Sequence, residues 1–421
     1  MFIRHLSLTG FRNYGRLELD LHPGTTILYG DNAQGKTNLL EAVYYLATTR
    51  SPYSDSDQQI INWSINLPEE PIVVARLVAT IEYDHRPSGA GQNGSEPYQK
   101  TIELRLIREN RNGSSRFRRE AVIDRRKVRL MDILGQLRVV LFLPSDLELI
   151  TGGPSARRRY IDITLCQTDS VYLRTLSGYN KLLEQRNAAL KSLAESGRGR
   201  DVVNILSERL AHLAAEIFAR RALFMHHLAE EASRTHYEEL TGGIETIKLG
   251  YLPRLAVKGQ GRGSNENAAE LLGLSDWILE NAEDQTLIIK RYLEILQLTL
   301  ERDIASGSTT VGPHRDDWCF WVNGRHLGHF GSRGQQRTAM LALKIAEIRR
   351  MVHETGEPPI LLLDEVASEL DDHRRLLLLD QVSHSGQALL TTTSLDILPD
   401  TFSNQCATVQ VVNGKISSTR V

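Results

Sequence analysis

Two short segments near opposite ends of the chain constrain its fold more than anything between them. Gly30-Asp31-Asn32-Ala33-Gln34-Gly35-Lys36-Thr37 has the G-x-x-x-x-G-K-T spacing of a phosphate-binding loop, and Ile360-Leu361-Leu362-Leu363-Asp364-Glu365 is an unbroken apolar run ending in two acids. A phosphate loop needs a strand before it and a helix after it. Residues 25–29 read as that strand, and Leu39, Leu40, Val43, Tyr44 and Leu46 give residues 36–47 helical apolar spacing. An apolar strand with no polar face belongs in the middle of a parallel sheet, where both faces are covered. Together the two segments predict one α/β nucleotide fold with a long insertion inside it.

Their chemistry is complementary. Triphosphate oxygens need several inward N–H groups, which glycines expose and a following helix N-terminus reinforces. Lys36 is spaced to bridge β- and γ-phosphates, Thr37 and Asp364 to hold Mg²⁺, and Glu365 to polarise an attacking water. Lys36, Asp364 and Glu365 are therefore the candidate catalytic residues, with ATP and Mg²⁺ as the implied cofactors. A third segment, Ser332-Arg333-Gly334-Gln335-Gln336, precedes an apolar-periodic helix over residues 337–352. A serine hydroxyl, a glycine N–H and a helix dipole suit a γ-phosphate. One chain has one phosphate loop, so this second cradle is expected to serve the nucleotide of another protomer, making ATP the glue of a twofold dimer.

Composition excludes several classes. The formal charge of −2 gives no global field for nucleic acid, so any such binding must come from local patches. Arg125, Arg126 and Lys127 form one patch and Arg157, Arg158 and Arg159 another; Arg116, Arg118, Arg119 and Arg129 lie beside the first. These are the candidate contacts to a DNA backbone, and few aromatics accompany them, which favours duplex over stacked single strands. Cys166, Cys319 and Cys406 have neither C-x-x-C spacing nor an even count, so a disulfide framework and a zinc site are both disfavoured and a cytoplasmic setting is expected. No apolar run approaches the ~18 residues that cross a bilayer.

Along the chain, alternation predicts strands over residues 2–8, 16–21, 71–83 and 100–108, with a polar loop at 84–99. From residue 155 the period becomes helical: Tyr172, Leu176, Tyr179, Leu183 and Leu190 share a stripe, Gly197-Arg198-Gly199 breaks it, and Val202, Leu206, Leu210, Leu213 and Ile217 resume it. Two antiparallel helices meeting at 197–199 make a short coiled arm. A second loop at 258–267 precedes one helix over 275–302, and 318–322 with 325–330 read as a hairpin turning at Asn323-Gly324. The expected domains are a head built from 1–154 and 303–421 and a helical arm over 155–302.

Several stretches, in order along essentially the whole chain, resemble a known family: Gly10-Phe11-Arg12-Asn13-Tyr14, the phosphate loop, Phe142-Leu143-Pro144-Ser145-Asp146-Leu147, Gly153-Pro154, Gly312-Pro313-His314-Arg315-Asp316-Asp317 and Ser332–Arg337. The head is similar to that of the SMC-like ATP-binding-cassette ATPases, and within them to the RecF family of bacterial recombinational repair proteins. That resemblance implies an ABC-type head with an antiparallel β subdomain. It also implies a weak DNA-stimulated ATPase acting at gaps and single-strand/duplex junctions. RecR and RecO are its implied partners, with RecA loading, replication restart and SOS induction as the outcome. It further assigns Arg12 and Asn13 to the adenine side, Ser368 and Asp371 to the loop after the acidic pair, and Thr392 to the switch position. Two departures stand out: Gly331 and Arg333 replace residues of the transporter-type Leu-Ser-Gly-Gly-Gln signature, and Thr391-Thr392-Thr393 ends the last parallel strand where a histidine is usual. The first is a change that RecF-like proteins share; the second points to slow hydrolysis. A transporter's nucleotide-binding subunit would place its signature much sooner after the phosphate loop, and a small-molecule kinase has no use for Ser332–Gln335.

Overall fold

In the computed structural model, residues 1–54, 56–67, 69–83, 98–111, 114–256 and 264–420 are described. The loops expected at 84–99 and 258–267 fall largely outside them. The chain divides into two compact units, Met1–Asp146 with Glu347–Val421, and Leu147–Ala346. The division falls at 147 and 346, where a head ending at 154 and resuming at 303 was expected, so Ser332–Gln335 lies in the arm's unit.

The first unit holds two six-stranded sheets. One is antiparallel, in the order Tyr14–Asp20, Phe2–Phe11, Ile72–Tyr83, Tyr98–Arg111, Ser114–Ile123, Arg126–Val128. The other orders Lys415–Arg420, Ala407–Val412, Gly24–Tyr29, Gln387–Thr392, Ile360–Asp364 and Val139–Phe142; the last five strands run parallel. Two adjacent inner strands, Gln387–Thr392 and Ile360–Asp364, are buried at every position, which is why their sequences carry no alternation. Register pairs Thr392 with Tyr29 and Asp364 with Thr391, so the phosphate loop, the threonines and the acid leave the sheet at one carboxyl edge. The helix Lys36–Thr48 packs Leu39, Leu40, Val43 and Leu46 into the core below.

The second unit is built on the helices Ser170–Ser196 and Arg200–Arg234, joined through Gly197 (φ 68°) and Gly199 (φ 98°). Both glycines sit in the left-handed region that glycine enters cheaply, Gly197 ending the first helix and Gly199 opening the second. Tyr179, Leu190, Leu210 and Ile217 from the expected stripes are buried, whereas Val202 is exposed. The helix expected over 275–302 is broken. Ser264–Glu280 and Thr286–Leu298 are separate, and Asp284 accepts the Thr286 backbone N–H at 3.1 Å, an Asx turn that restarts the chain. The hairpin's second strand is only Arg325–His326; residues Leu327–Phe330 coil into a helical turn instead of continuing the strand.

The Gly312–Asp317 segment is a structural hub. Arg221, 1% exposed, donates to Asp162 (2.7 Å), Asp316 (2.8 Å), the Pro313 carbonyl (2.6 Å) and the Tyr172 hydroxyl (2.9 Å). His314 Nε2 donates to the Thr309 carbonyl (2.9 Å) and Nδ1 lies 2.7 Å from the Tyr179 hydroxyl, a set of partners that the neutral ring satisfies. Burial accordingly pushes its pKa down to about 4. An unfolded histidine titrates near 6.5, so between about 4 and 6.5 the unfolded chain holds the extra proton and the His314 share of stability falls as pH drops, while Asp316, its carboxyl pushed up to about 6 by burial, contributes in the opposite sense. The expected loss is on the order of 2–3 kcal/mol across that window. Denaturant unfolding at pH 7, 5.5 and 4.5 checks it: the decline from 6.5 towards 4 should be shallower in His314→Gln, and an identical slope would remove His314 as its source. Among the described residues no helix is long and apolar enough to cross a membrane.

Candidate nucleotide site

The phosphate loop is shaped by close backbone approaches. Gly30 has φ 147° and a Cβ there would lie 2.4 Å from the Val411 carbonyl oxygen; Gly35 has φ 113° and its Cβ would lie 2.5 Å from Asn13 Nδ2. Neither position admits another residue without moving its neighbour. Ala33 is also left-handed (φ 63°). Asp31, Asn32 and Ala33 are exposed at the tip, and Gln34 anchors the loop's far side: its carbonyl accepts from Asn13 Nδ2 and from the Gly414 N–H, both at 2.9 Å, and its Oε1 accepts from the Asn413 N–H at 2.7 Å. No side chain caps the helix that opens at Lys36, so its first N–H groups are left for an anion.

Lys36 is only 3% exposed. Its Nζ donates to the carbonyls of Gly30 (2.8 Å) and Asp31 (2.9 Å) and lies 3.5 Å from Glu365 Oε1. Thr37 Oγ1 donates to Asp364 Oδ1 at 2.9 Å, bringing residues from the two ends of the chain into one contact. Two further hydroxyls close on the same carboxylate: Thr391 Oγ1 to Oδ1 at 2.8 Å and Tyr53 Oη to Oδ2 at 2.7 Å. Thr391 Oγ1 also accepts the Glu365 N–H at 2.9 Å, which holds Glu365 in the left-handed region (φ 54°) that a non-glycine side chain reaches at a cost of about 1–2 kcal/mol. Burial, and after it the Asp364 charge, raise the Tyr53 pKa, keeping that hydroxyl a donor.

Sequence reasoning missed both Tyr53 and Thr391 for this contact. Thr392, the expected switch residue, donates to the Ser394 carbonyl at 2.8 Å, while Thr391 touches the acidic pair. Strand alternation was the available signal, since adjacent residues face opposite sides. Tyr53 follows the loop helix with no motif around it.

Arg12 and Asn13 are brought to the back of the loop. Both Arg12 Nε and Nη2 donate to Glu41 at 2.7 Å, and Nη1 reaches the Gln59 carbonyl at 3.2 Å. Asn13 is clasped by Gln34 and by Asn38, whose Nδ2 donates to Asn13 Oδ1 at 2.8 Å. Their polar groups hold the loop's shape. Asp371 caps the helix Asp372–Ser383 by accepting the Arg374 N–H at 3.0 Å, a bond that, with the Arg374 charge, lowers its pKa. The Ser368 side chain lies outside the described residues.

In the second unit Ser332 is exposed and forms a reciprocal cap with Gln335: its Oγ accepts the Gln335 N–H (3.2 Å) and Gln335 Oε1 accepts the Ser332 N–H (2.9 Å). Gln335 Nε2 donates to Glu245 at 2.7 Å. Arg333 opens the helix Arg333–Thr355, and a Cβ at Gly334 would meet nothing closer than 3.8 Å, so this turn has room beside it.

The basic clusters differ sharply. Asp124 (φ 47°) and Arg125 (φ 66°) form a two-residue hairpin turn of the type whose central residues are both left-handed, and Arg125, Arg126 and Lys127 all stand exposed on it. Lys127 donates to Glu120 at 2.8 Å, an exposed pair that a phosphate can displace. Arg118 pairs with Glu109 and Glu120, Arg119 with Asp57 and Arg129 with Asp132. The expectation for the second cluster is corrected at Arg157. It is 8% exposed and forks onto Asp317 (2.6 and 3.0 Å), with its third nitrogen on the Gly152 (2.7 Å) and Leu149 (3.3 Å) carbonyls, so it is buried with four of its five N–H groups taken. Arg158 donates to the Asp316 carbonyl at 2.8 Å, and Arg159 is half-buried with a partner of its own.

The family described as "RecF/RecN/SMC N terminal domain" matches residues 2–418. A "DNA replication and repair protein RecF" from Chloroflexus aurantiacus is 38% identical over 99% of this chain and 99% of its own, and one from Geobacillus kaustophilus is 36% identical over 99% and 100%. Among solved structures, one described as the recombination mediator protein RecF-ATP in the RecFOR pathway superposes with a TM-score of 0.78 at 29% identity, covering 100% of this chain and 98% of that one.

Proposed function

Because the chain belongs to the RecF family of DNA replication and repair proteins, we propose that it is an ATP-driven DNA-binding ATPase acting at single-strand gaps and junctions. In this reading it works with RecO and RecR to direct RecA loading, in recombinational repair, replication restart and SOS induction. The observation that carries the reading is the contact of Thr37 with Asp364, beside Lys36 and Glu365. A hydroxyl and a carboxylate oxygen 2.9 Å apart are hard donors of the kind Mg²⁺ takes, at the carboxyl edge of a parallel sheet where phosphates are bound. Thr37 and Asp364 would hold the ion, which would supply positive charge to offset that of the phosphate oxygens. Lys36 exchanges its two carbonyl partners for phosphate oxygens. Glu365 accepts the proton of the attacking water, and Thr391 keeps its backbone oriented. Ser332, Arg333, Gly334 and Gln335 close on the nucleotide of a second copy, so ATP binding assembles the dimer and hydrolysis releases it.

ATP turnover measured side by side with gapped duplex, intact duplex and single strands tests the proposal: gapped duplex should stimulate most, and equal rates with and without DNA would overturn it. The exposed hairpin supplies the backbone contacts. Reversing the charge of Arg125, Arg126 and Lys127 should weaken binding similarly on all sequences. Each lost phosphate contact should lower the slope of log K against log salt by roughly 0.9. An unchanged slope would mean that the hairpin is a solvated edge.

A further inference from the structure

A cavity of about 480 Å³ lies within the arm's unit, at the start of the helix Pro154–Thr168. Four arginines from separate stretches line it, namely Arg158, Arg254, Arg302 and Arg315, together with Thr310, and among the described residues no carboxylate does. The acids adjacent to these arginines in the chain are committed elsewhere. Asp316 takes Arg221 and the Tyr251 hydroxyl, Asp317 takes Arg157, Asp303 takes Arg186 at 3.0 Å, and Glu301 takes Arg200 at 2.7 Å. Among the described residues no carboxylate pairs with Arg254, Arg302 or Arg315. Burial lowers the Arg158 pKa, with the Asp316 and Asp317 charges opposing it and the guanidiniums of Arg221 and Arg315 adding to it. The helix beside it begins at Pro154 with no side-chain cap, which adds the positive end of a dipole four turns long.

Converging guanidiniums repel, and a folded chain keeps such a group together where an anion offsets it. A phosphate monoester is the anion that fits. It carries close to two charges at neutral pH and three terminal oxygens, each able to take a guanidinium fork, whereas a backbone diester offers one charge and two free oxygens. The volume is within the usual range for a small-molecule pocket and exceeds what a bare phosphate fills. We propose that this cavity receives a terminal phosphate monoester. A 5′-phosphorylated DNA end and a small free phosphate share that chemistry. The DNA source rests on the function proposed above; the cavity's affinity for phosphate does not.

Arg302 and Arg315 are exposed, so Arg302→Gln with Arg315→Gln removes half the charge without opening the core. The full chain and this double variant would be compared for thermal melting and ATP binding, both expected unchanged; retained ATP binding separates a failure here from a failure of the nucleotide reading. Affinity is then measured for gapped duplexes that differ only in a 5′-phosphate or 5′-hydroxyl at the gap. In parallel, ³¹P line broadening of inorganic phosphate is followed with the nucleotide site saturated by ADP. A preference of about tenfold for the phosphorylated end, lost in the variant, supports a DNA terminus as ligand. Equal affinity for both ends, with phosphate broadening that the variant loses, supports a free phosphate. The absence of both effects, or their persistence in the double variant, would overturn the proposal.

Discussion

Replacing Glu365 with Gln is expected to leave ATP binding intact and to slow hydrolysis by about 10²–10⁴-fold, the range that a positioned general base supplies. The substitution is nearly isosteric. It keeps the left-handed backbone and the N–H bond to Thr391, and it removes only the capacity to take a proton. It also frees Lys36 from a carboxylate 3.5 Å away, which should strengthen its hold on a phosphate. The variant therefore accumulates as an ATP-bound species. Lys36→Ala does the opposite. It deletes the cation that spans the loop carbonyls of Gly30 and Asp31 and is placed to meet phosphate oxygens, and two charge-assisted hydrogen bonds lost together weaken ATP by roughly 10²–10³-fold. Fluorescent-nucleotide titration and phosphate release, run on both variants, separate the roles. Glu365→Gln turning over ATP at the wild-type rate would sink the general-base assignment.

What was readable in the sequence follows from where the information lies. The phosphate loop, its strand and helix, and the acid at the end of Ile360–Asp364 are local patterns, and each is where its pattern placed it. So are the left-handed glycines of the arm at 197 and 199. The errors are tertiary. Arg157 reads as one of three surface arginines, and its burial depends on Asp317, 160 positions further on. Tyr53 reads as an ordinary loop residue until Asp364, 311 positions away, is brought to its hydroxyl. The break at 281–285 hides inside a region of helical periodicity because a single Asx turn displaces few apolar positions. The partners of Arg12 and Asn13, namely Glu41, Gln34 and Asn38, are likewise ones that no spacing rule foretells.

The link between ATP and assembly has the clearest expected outcome. Ser332→Arg should leave ATP binding by each chain unchanged, since the phosphate loop is untouched, and should abolish ATP-dependent dimerisation. Two effects combine in that variant. The long side chain fills the open space beside Gly334, where a γ-phosphate of the second copy would sit, and the cap onto Gln335 is lost. Losing such a cap costs about 0.5–2 kcal/mol. Ser332→Ala removes the same cap but leaves the space open, so a large difference between the two variants isolates the steric block from a frayed helix start. Sedimentation velocity with and without ATP reads the result directly. A 1:1 mixture of Ser332→Arg and Lys36→Ala chains carries the argument further. Neither assembles alone, because the first lacks the seat and the second lacks the nucleotide. Paired, they make one complete site, from the intact phosphate loop of the first and the intact Ser332 of the second. Partial ATP-dependent association of the mixture is expected, with at most half the wild-type turnover per dimer. Ser332→Arg protein that dimerises with ATP as strongly as wild type would show that the two segments do not meet across a twofold interface.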